Sequence, residues 1–506
     1  MIEYYYNHQL RWSFGFDNPN KAAMIFACLV PVFLAMLLFG LRRIPEERRR
    51  WPWVVISLLG LLSVLFCLGK TCSRGGLLAA GIAALWVVWD WWRQQRQQEL
   101  LHAREKSSRW PVTAVVLTLG TAGLAGGLLW MTGVLHRLWL PLTMADASVG
   151  NRLVLWKQAL VMAFENPWGM GAGKSGWHYM QWYQPVDMTA AYRTLVNSYL
   201  TFLVERGWLI FAGILLLAGF LWFWARPSRD AFPGQTSLLC GCRGLWVAFA
   251  VGGVFSTTME NPWLWLVPGL ALLAILWTRH VAWRDGFGRA GMLAGFATLI
   301  ILASLWLGGA LLARQSGWER GFFQARNGSL AIVTLRPPQM TATSRKLVFL
   351  ADAAVLGGDF GKRIRELSER LRVPVRVILV HNDKEKVSVT ADSCVVACGE
   401  AAAWPLSCRP KKIIWLAPAP EAVPNDPASW QGDGTRTAEL WLPSIDEDGR
   451  VLRWQKLADE HHWKIRTLQG VGTQVTWAWE QVLTWLGENP VVCLPGESSE
   501  KQASLL

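Results

Sequence analysis

With 506 residues, 52% of them hydrophobic and 33 of them Trp, the chain is too apolar for an ordinary soluble enzyme, and its composition points to a membrane protein with aromatic belts. The formal net charge of +14 would suit a nucleic-acid partner, but the basic residues gather in alternate loops between apolar runs, which excludes that reading. No cleavable signal peptide is visible, because residues 1–20 are polar and aromatic. Runs of roughly 18 or more mostly apolar residues are long enough to span a bilayer. They fall near 22–41, 52–69, 76–92, 112–134, 206–225, 244–258, 262–278 and 290–313. The expectation is about eight spans, followed by a soluble tail.

The loops order these spans. "RRIPEERRR" (42–50) follows the first run and "RQQRQQELLHAREKSSR" (93–109) the third. Arg226, Arg229 and Arg243 follow the fifth, and Arg279, Arg284 and Arg289 the seventh. Every second loop is therefore basic. By the positive-inside rule the N-terminus, Lys70–Gly75, the loop 135–194 and the tail from about 315 lie outside. An exported tail would permit disulfides among Cys394, Cys398, Cys408 and Cys493, in any of three pairings, or leave buried thiols.

On the outer side, three polar clusters stand out. The first is "TCSRGG", with Arg74 at the mouth of the third span. In the second, Gly150–Tyr179, Leu153, Trp156, Leu160 and Phe164 make an apolar stripe on a helix that ends at Asn166-Pro167, before a glycine-rich turn. That turn, "WGMGAGKS", is close to a Walker A loop, but Trp168 stands where the pattern needs glycine and no strand is expected ahead of it. It reads as a sharp turn, not a nucleotide site. The third cluster opens "RTLVNSYLTFLVERGWLIFAGILLLAGFLW", where Arg193, Asn197, Thr201 and Glu205 recur every fourth residue and predict one polar stripe on a helix. Polar groups at membrane depth are costly and face a cavity or each other.

Five segments together resemble the O-antigen ligase and polymerase family of bacterial envelope glycosyltransferases. "FDNPNKAAMIFACLVPVFL" (16–34) is similar to its Asn-Pro-Asn segment, "SRGGLLA" (73–79) to its Ser-Arg-Gly motif, and "NRLVLWKQAL" (151–160) to its Arg-x-x-x-Trp helix. "NPWGMGAGKSGW" (166–177) resembles its Pro-x-G-x-G turn, and "VNSYLTFLVERGWLI" (196–210) its His-Asn-x-Tyr-Leu…Glu-x-Gly segment. The resemblance covers roughly residues 11–225. Two departures stand out. The family has several spans ahead of the Asn-Pro-Asn segment, so this chain reads as N-terminally short. The family histidine before the asparagine is replaced by Val196.

The resemblance implies a polytopic α-helical, GT-C-like membrane protein of the bacterial inner membrane. Its reaction moves a glycan from a polyprenyl diphosphate carrier to a hydroxyl on a lipid or glycan acceptor. The leaving diphosphate needs fixed cations, which arginine forks supply. Arg74, Arg152 and Arg193 are the candidates, with Asn197 as a further substrate-binding residue. The alternative for the arginines is snorkelling to lipid phosphate. The energy resides in the donor, so no cofactor or metal is expected. A general base would accept the acceptor's proton. With Val196 in the histidine's place, His178, Glu205 and nearby Asp187 are the substitutes, His178 and Glu205 foremost. The blander alternatives are an interfacial histidine among Trp177, Tyr179 and Trp182, and a structural hydrogen bond for Glu205. Competing functions are a non-catalytic member that binds lipid-linked glycan or scaffolds polysaccharide export, and a transporter, for which no inverted repeat or broken-helix pair speaks.

The tail reads differently. Residues 1–314 form the membrane part, 315–345 a linker, and 346–506 an α/β domain with a largely parallel sheet. Its order, over about 346–487, resembles an α/β-hydrolase core without the chemistry. Glu400 stands where Gly-x-Ser-x-Gly would place serine, and Thr473 where the late histidine would fall; Asp446 or Asp448 could match the acid. The tail is expected to be a non-hydrolysing module that binds glycan or a partner protein.

Overall fold

The computed structural model describes residues 3–6, 9–41, 51–101, 147–185, 188, 191–225, 233–257, 261–278, 287–324, 330–338, 346–352, 360–380, 393–398, 412–416, 437–443, 455–456, 458–460 and 464–468. The expected span at 112–134, and Asp187, Glu400, Cys408, Asp446, Asp448, Thr473 and Cys493, lie outside them. The chain divides into two compact units, one of residues 1–159, 171–175 and 194–305, the other of 160–170, 176–193 and 306–506.

The first unit opens with a hairpin of β1 (Glu3–Tyr6) and β2 (Gln9–Trp12). Helices α1 (Pro19–Leu41), α2 (Trp51–Thr71) and α3 (Arg74–Leu101) follow. After α4 (Ala147–Glu165) come α5 (Ser198–Trp224), α6 (Pro233–Phe255), a short 3₁₀ turn, α7 (Leu266–Thr278) and α8 (Phe287–Ser316). Six of the described helices are long and apolar enough to cross a membrane, and α7 is a shorter apolar helix. The protein is thus a polytopic helical membrane protein. At 1.5 Å per residue, α1 alone is about 34 Å long, enough for a hydrocarbon core of about 30 Å.

Lipid tails offer no hydrophobic drive for helices to associate, so close packing must do it. Small residues supply it here: Ala23 and Ala27 of α1 and Ala79 and Ala83 of α3 are wholly buried. Gly244 of α6 lies against Pro31 of α1 and Val87 of α3, with no room for a side chain. Large apolar side chains such as Leu85, Leu209, Leu217 and Leu299 are left exposed, as lipid-facing positions require.

Arg243 departs from the sequence expectation. It is not a loop residue but part of α6, buried, with Nη1 3.8 Å from Asp90 Oδ1 on α3. Its guanidinium lies 4.7 Å from the Trp86 ring centroid and 4.5 Å from that of Trp222. Asp90 also accepts from Gln94 Nε2 at 2.9 Å. A charge can sit there because the carboxylate and the two indole faces replace water. Removing one partner leaves the other buried and unpaired, a cost of about 3–5 kcal/mol. Arg243→Ala should therefore unfold at clearly lower temperature in detergent, and Asp90→Ala/Arg243→Ala should recover much of the loss. An Arg243→Ala melting curve that overlays the wild type would contradict the pairing.

The second unit is built on an eight-stranded sheet in the order β10-β9-β8-β7-β5-β6-β4-β3. Its strands are β3 (Glu319–Gln324), β4 (Leu330–Arg336), β5 (Lys346–Asp352), β6 (Val375–Val380), β7 (Ser393–Cys398), β8 (Lys412–Leu416), β9 (Thr437–Pro443) and β10 (Lys464–Leu468). The pairings are parallel except β3–β4 and β4–β6. Helix α9 (Phe360–Leu371) crosses between β5 and β6 and buries Phe360, Ile364 and Leu367. The near-continuous runs "KLVFLAD" and "VRVILV" suit strands covered on both faces. Within 315–345, read from sequence as linker, residues 319–324 and 330–336 form the two antiparallel strands at one side of this sheet, where Val333 and Leu335 are buried.

Candidate functional site

At one end of the helical unit the family-like motifs acquire definite local roles. The Asn-Pro-Asn segment is a cap: Asn18 Oδ1 accepts from Asn20 N at 2.9 Å, and Pro19 opens α1. Arg11 latches it, donating from Nη2 to Asn20 Oδ1 at 2.9 Å and from Nε to the Thr71 carbonyl at 2.8 Å. Thr71 closes α2, and Ser73 Oγ then accepts from Gly76 N at 3.3 Å, so Arg74 is the first residue of α3.

Three motif segments share one anchor, Phe255–Ser256 at the end of α6. A side chain at Gly75 would meet Phe255 Cβ at 2.8 Å, which puts the start of α3 directly against it. Arg152 Nη1 of α4 points to the Phe255 carbonyl at 3.5 Å, and the Trp156 ring lies 6.3 Å from the Phe255 ring. Ser198, the first residue of α5, donates to the Ser256 carbonyl from N at 3.1 Å and from Oγ at 2.7 Å. Arg74 and Arg152 are both half-buried. The N-termini of α3 and α5 meet this anchor too, and helix N-termini favour anions.

The polar stripe expected from sequence is broken at its start. Arg193 is exposed and precedes the helix, and Asn197 is the cap of α5, its Oδ1 accepting from Tyr199 N at 3.0 Å and Leu200 N at 3.1 Å. Capping therefore engages the Asn197 side-chain oxygen, while Asn197 remains a proposed substrate-binding residue. Thr201 is buried, and its hydroxyl has no hydrogen-bond partner among the described residues. Val196, in the family histidine's place, has φ 52°. That left-handed conformation is an outlier for a β-branched residue, whereas histidine is among the residues enriched there.

Glu205 is held at two points. Gly207 has φ 80° and ψ 173°, a conformation essentially confined to glycine, and it breaks α5 into two segments. The freed Glu205 carbonyl accepts from Gly171 N at 3.1 Å. Its Oε1 accepts from Ser175 Oγ at 2.7 Å and from Ser175 N at 3.4 Å. The Walker-like segment is thus a turn, with positive φ at Gly169, Gly171 and Gly173, and it follows helix α4.

The rest of the loop belongs to the second unit. His178 is half-buried, its ring 4.9 Å from Trp177 and 5.6 Å from Phe322 of β3, both edge-on. A π-helical turn, Tyr179–Tyr183, follows and buries Trp182 and Tyr183 completely or nearly so. The loop docks on α9: Gly361 N donates to Gln181 Oε1 at 2.7 Å, Arg365 to the Gln184 carbonyl, and Lys362 Nζ to the Met188 carbonyl at 3.2 Å. Burial pulls the Arg365 guanidinium down to about 10. Arg320 Nη1 lies 3.3 Å from Glu165 Oε1, and Tyr183 Oη donates to Glu165 Oε2 at 2.7 Å.

Burial raises the Glu165 carboxyl pKa, with Arg320 pulling the other way. A raised folded-state pKa contributes stability that is complete below the unfolded value of 4.5 and is lost as pH rises through the folded value. Wild type should therefore lose stability relative to Glu165→Gln as pH rises from 4.5. Unfolding midpoints of both proteins across that range test this; parallel curves would contradict it.

Residues 59–218 match the family model described as O-antigen ligase. The chain carries an O-antigen ligase-type membrane domain. The match contains Arg74, Arg152, His178, Arg193, Val196, Asn197 and Glu205. No curated protein matches the chain. Among solved structures, an ester-hydrolase from the metagenome of Lake Arreo is similar at 13% identity and a TM-score of 0.25, over 37% of this chain and 89% of its own. A hyperthermophilic esterase from Pyrobaculum calidifontis is similar at 9% identity and 0.24, over 38% and 90%. At such scores the likeness assigns nothing to this chain. The ligase-type resemblance singled out the arginines and, through its Glu-x-Gly pair, Gly207, but not Ser175 or the Phe255–Ser256 anchor. The "ERG" segment also sets its glycine between polar and apolar halves of one helix.

Proposed function

We propose that the protein transfers a glycan from a polyprenyl diphosphate carrier to an acceptor hydroxyl at the outer face of the bacterial inner membrane, with the tail on that same side. The observation that carries this reading is the shared anchor, which gathers the Ser-Arg-Gly, Arg-x-x-x-Trp and Asn-Ser-Tyr segments of the ligase-type domain around Phe255–Ser256. Arg74 and Arg152 hold the diphosphate of the donor, aided by the helix N-termini. The acceptor oxygen attacks the anomeric carbon, the bond to the diphosphate breaks, and the diphosphate takes the electron pair. Arginine stabilises that developing charge. Glu205 is the group that accepts the acceptor's proton, with His178 as the alternative base that the assay separates from it.

A transfer assay tests this reading with purified wild type, Glu205→Gln, His178→Ala and Val196→His, lipid-linked donor and acceptor. Wild type should transfer, loss of the true base should abolish transfer with donor still bound, and Val196→His should be tolerated because histidine accepts the left-handed backbone. No transfer by wild type would favour the second reading, a non-catalytic member that binds lipid-linked glycan, for which Val196 in the histidine position speaks. The tail is then a hydrolase-like binding module in either case. Labelling of a cysteine at position 316 from outside intact cells, and protection of one at 107, supports the orientation; the reverse pattern rejects it.

A further inference from the structure

We infer that Ser175 is a positioning residue, which holds one carboxylate oxygen of Glu205 so that the other faces the acceptor hydroxyl. The inference rests on the proposed transfer reaction and names the group that prepares its base. Ser175 is buried, 1% exposed, on the glycine turn, and both its Oγ and its N donate to the same atom, Glu205 Oε1. Among the described residues the hydrogen bonds to this carboxylate all fall on that oxygen. Gly171, from the same turn, holds the Glu205 main chain at the break that Gly207 makes possible. Side chain and backbone of one residue are therefore gripped by a single five-residue turn, Gly171–Ser175.

A fixed carboxylate with one open oxygen is what proton abstraction needs, since misplacement of a reacting group by about 1 Å can cost on the order of a hundredfold. In the reaction, the acceptor O–H proton passes to Glu205 Oε2 as the new glycosidic bond forms and the anomeric bond to diphosphate breaks. The Ser175 hydroxyl fixes where Oε2 points, so its loss lets the carboxylate turn away from the acceptor.

The test is the steady-state rate of lipid-linked glycan transfer by the full-length protein. Ser175→Ala should lower kcat about tenfold with little change in KM for donor. Ser175→Thr, which keeps the hydroxyl, should restore kcat, and Glu205→Gln should remove the activity. An unchanged kcat in Ser175→Ala, with wild-type transfer intact, overturns the inference alone and leaves Ser175 a staple of the turn. Full activity of Glu205→Gln overturns it as well, while the donor-binding part of the proposal stands. Absence of transfer by the wild type overturns the transfer reaction itself.

Discussion

Gly207→Ala should cut glycan transfer by about 10- to 100-fold while the protein remains folded in detergent. The φ of 80° and ψ of 173° at this position are essentially closed to a residue with a Cβ, and holding one there costs about 1–3 kcal/mol. The chain has an easier course. With alanine, α5 can run on as one helix, and the Glu205 carbonyl would then pair with the amide four residues on instead of with Gly171 N. That frees the glycine turn, swings Glu205 away from Ser175, and dismantles the double grip on this candidate base. Both helical segments survive, so melting temperature should fall modestly. Size-exclusion profile and transfer rate, measured together, separate the two effects. A fully active Gly207→Ala would mean that the break has no part in the chemistry.

Arg152→Ala should weaken binding of a polyprenyl diphosphate glycan by about 10- to 150-fold, as expected for loss of a hydrogen-bonded charge worth about 1.5–3 kcal/mol. Arg96→Ala is the control. It lies on α3, 22 residues beyond Arg74, about 33 Å along the helix, and stacks on Trp92. Its loss should leave binding unchanged. Arg152 Nη1 lies 3.5 Å from the Phe255 carbonyl at the shared anchor, which places its guanidinium at the proposed donor end. Equal donor affinity of Arg152→Ala and Arg96→Ala would remove the diphosphate from this end of the bundle.

The membrane spans were legible because burial in lipid demands about 20 apolar residues in a row. The run at 22–41 became α1, Pro19–Leu41, and that at 290–313 lies within α8, Phe287–Ser316. Arg243 misled the count of loops because hydropathy cannot see a partner on another helix; Asp90 and two tryptophans make its depth tolerable. The parallel strands of the tail were legible as apolar runs. The edge strand β3 was not, since "ERGFFQ" is short and half-polar, as edges are. At the site, periodicity placed Thr201 and Glu205 on a helix but carried the pattern too far back, into Asn197 and Arg193. Four-residue spacing marks a helical face, whereas a helix start is fixed by a cap, and asparagine is both stripe-compatible and a strong cap. Ser175 owes its significance to contacts with Glu205 that no spacing encodes.

The proposed reaction breaks a lipid diphosphate–glycan bond in favour of an acceptor hydroxyl. The most direct measurement is acceptor-dependent release of polyprenyl diphosphate by the purified wild-type protein in lipid, followed together with the mass of the acceptor. The account predicts one carrier diphosphate released for each glycan joined, with release abolished in Arg74→Ala/Arg152→Ala. Tight donor binding with no release in the presence of acceptor would contradict it.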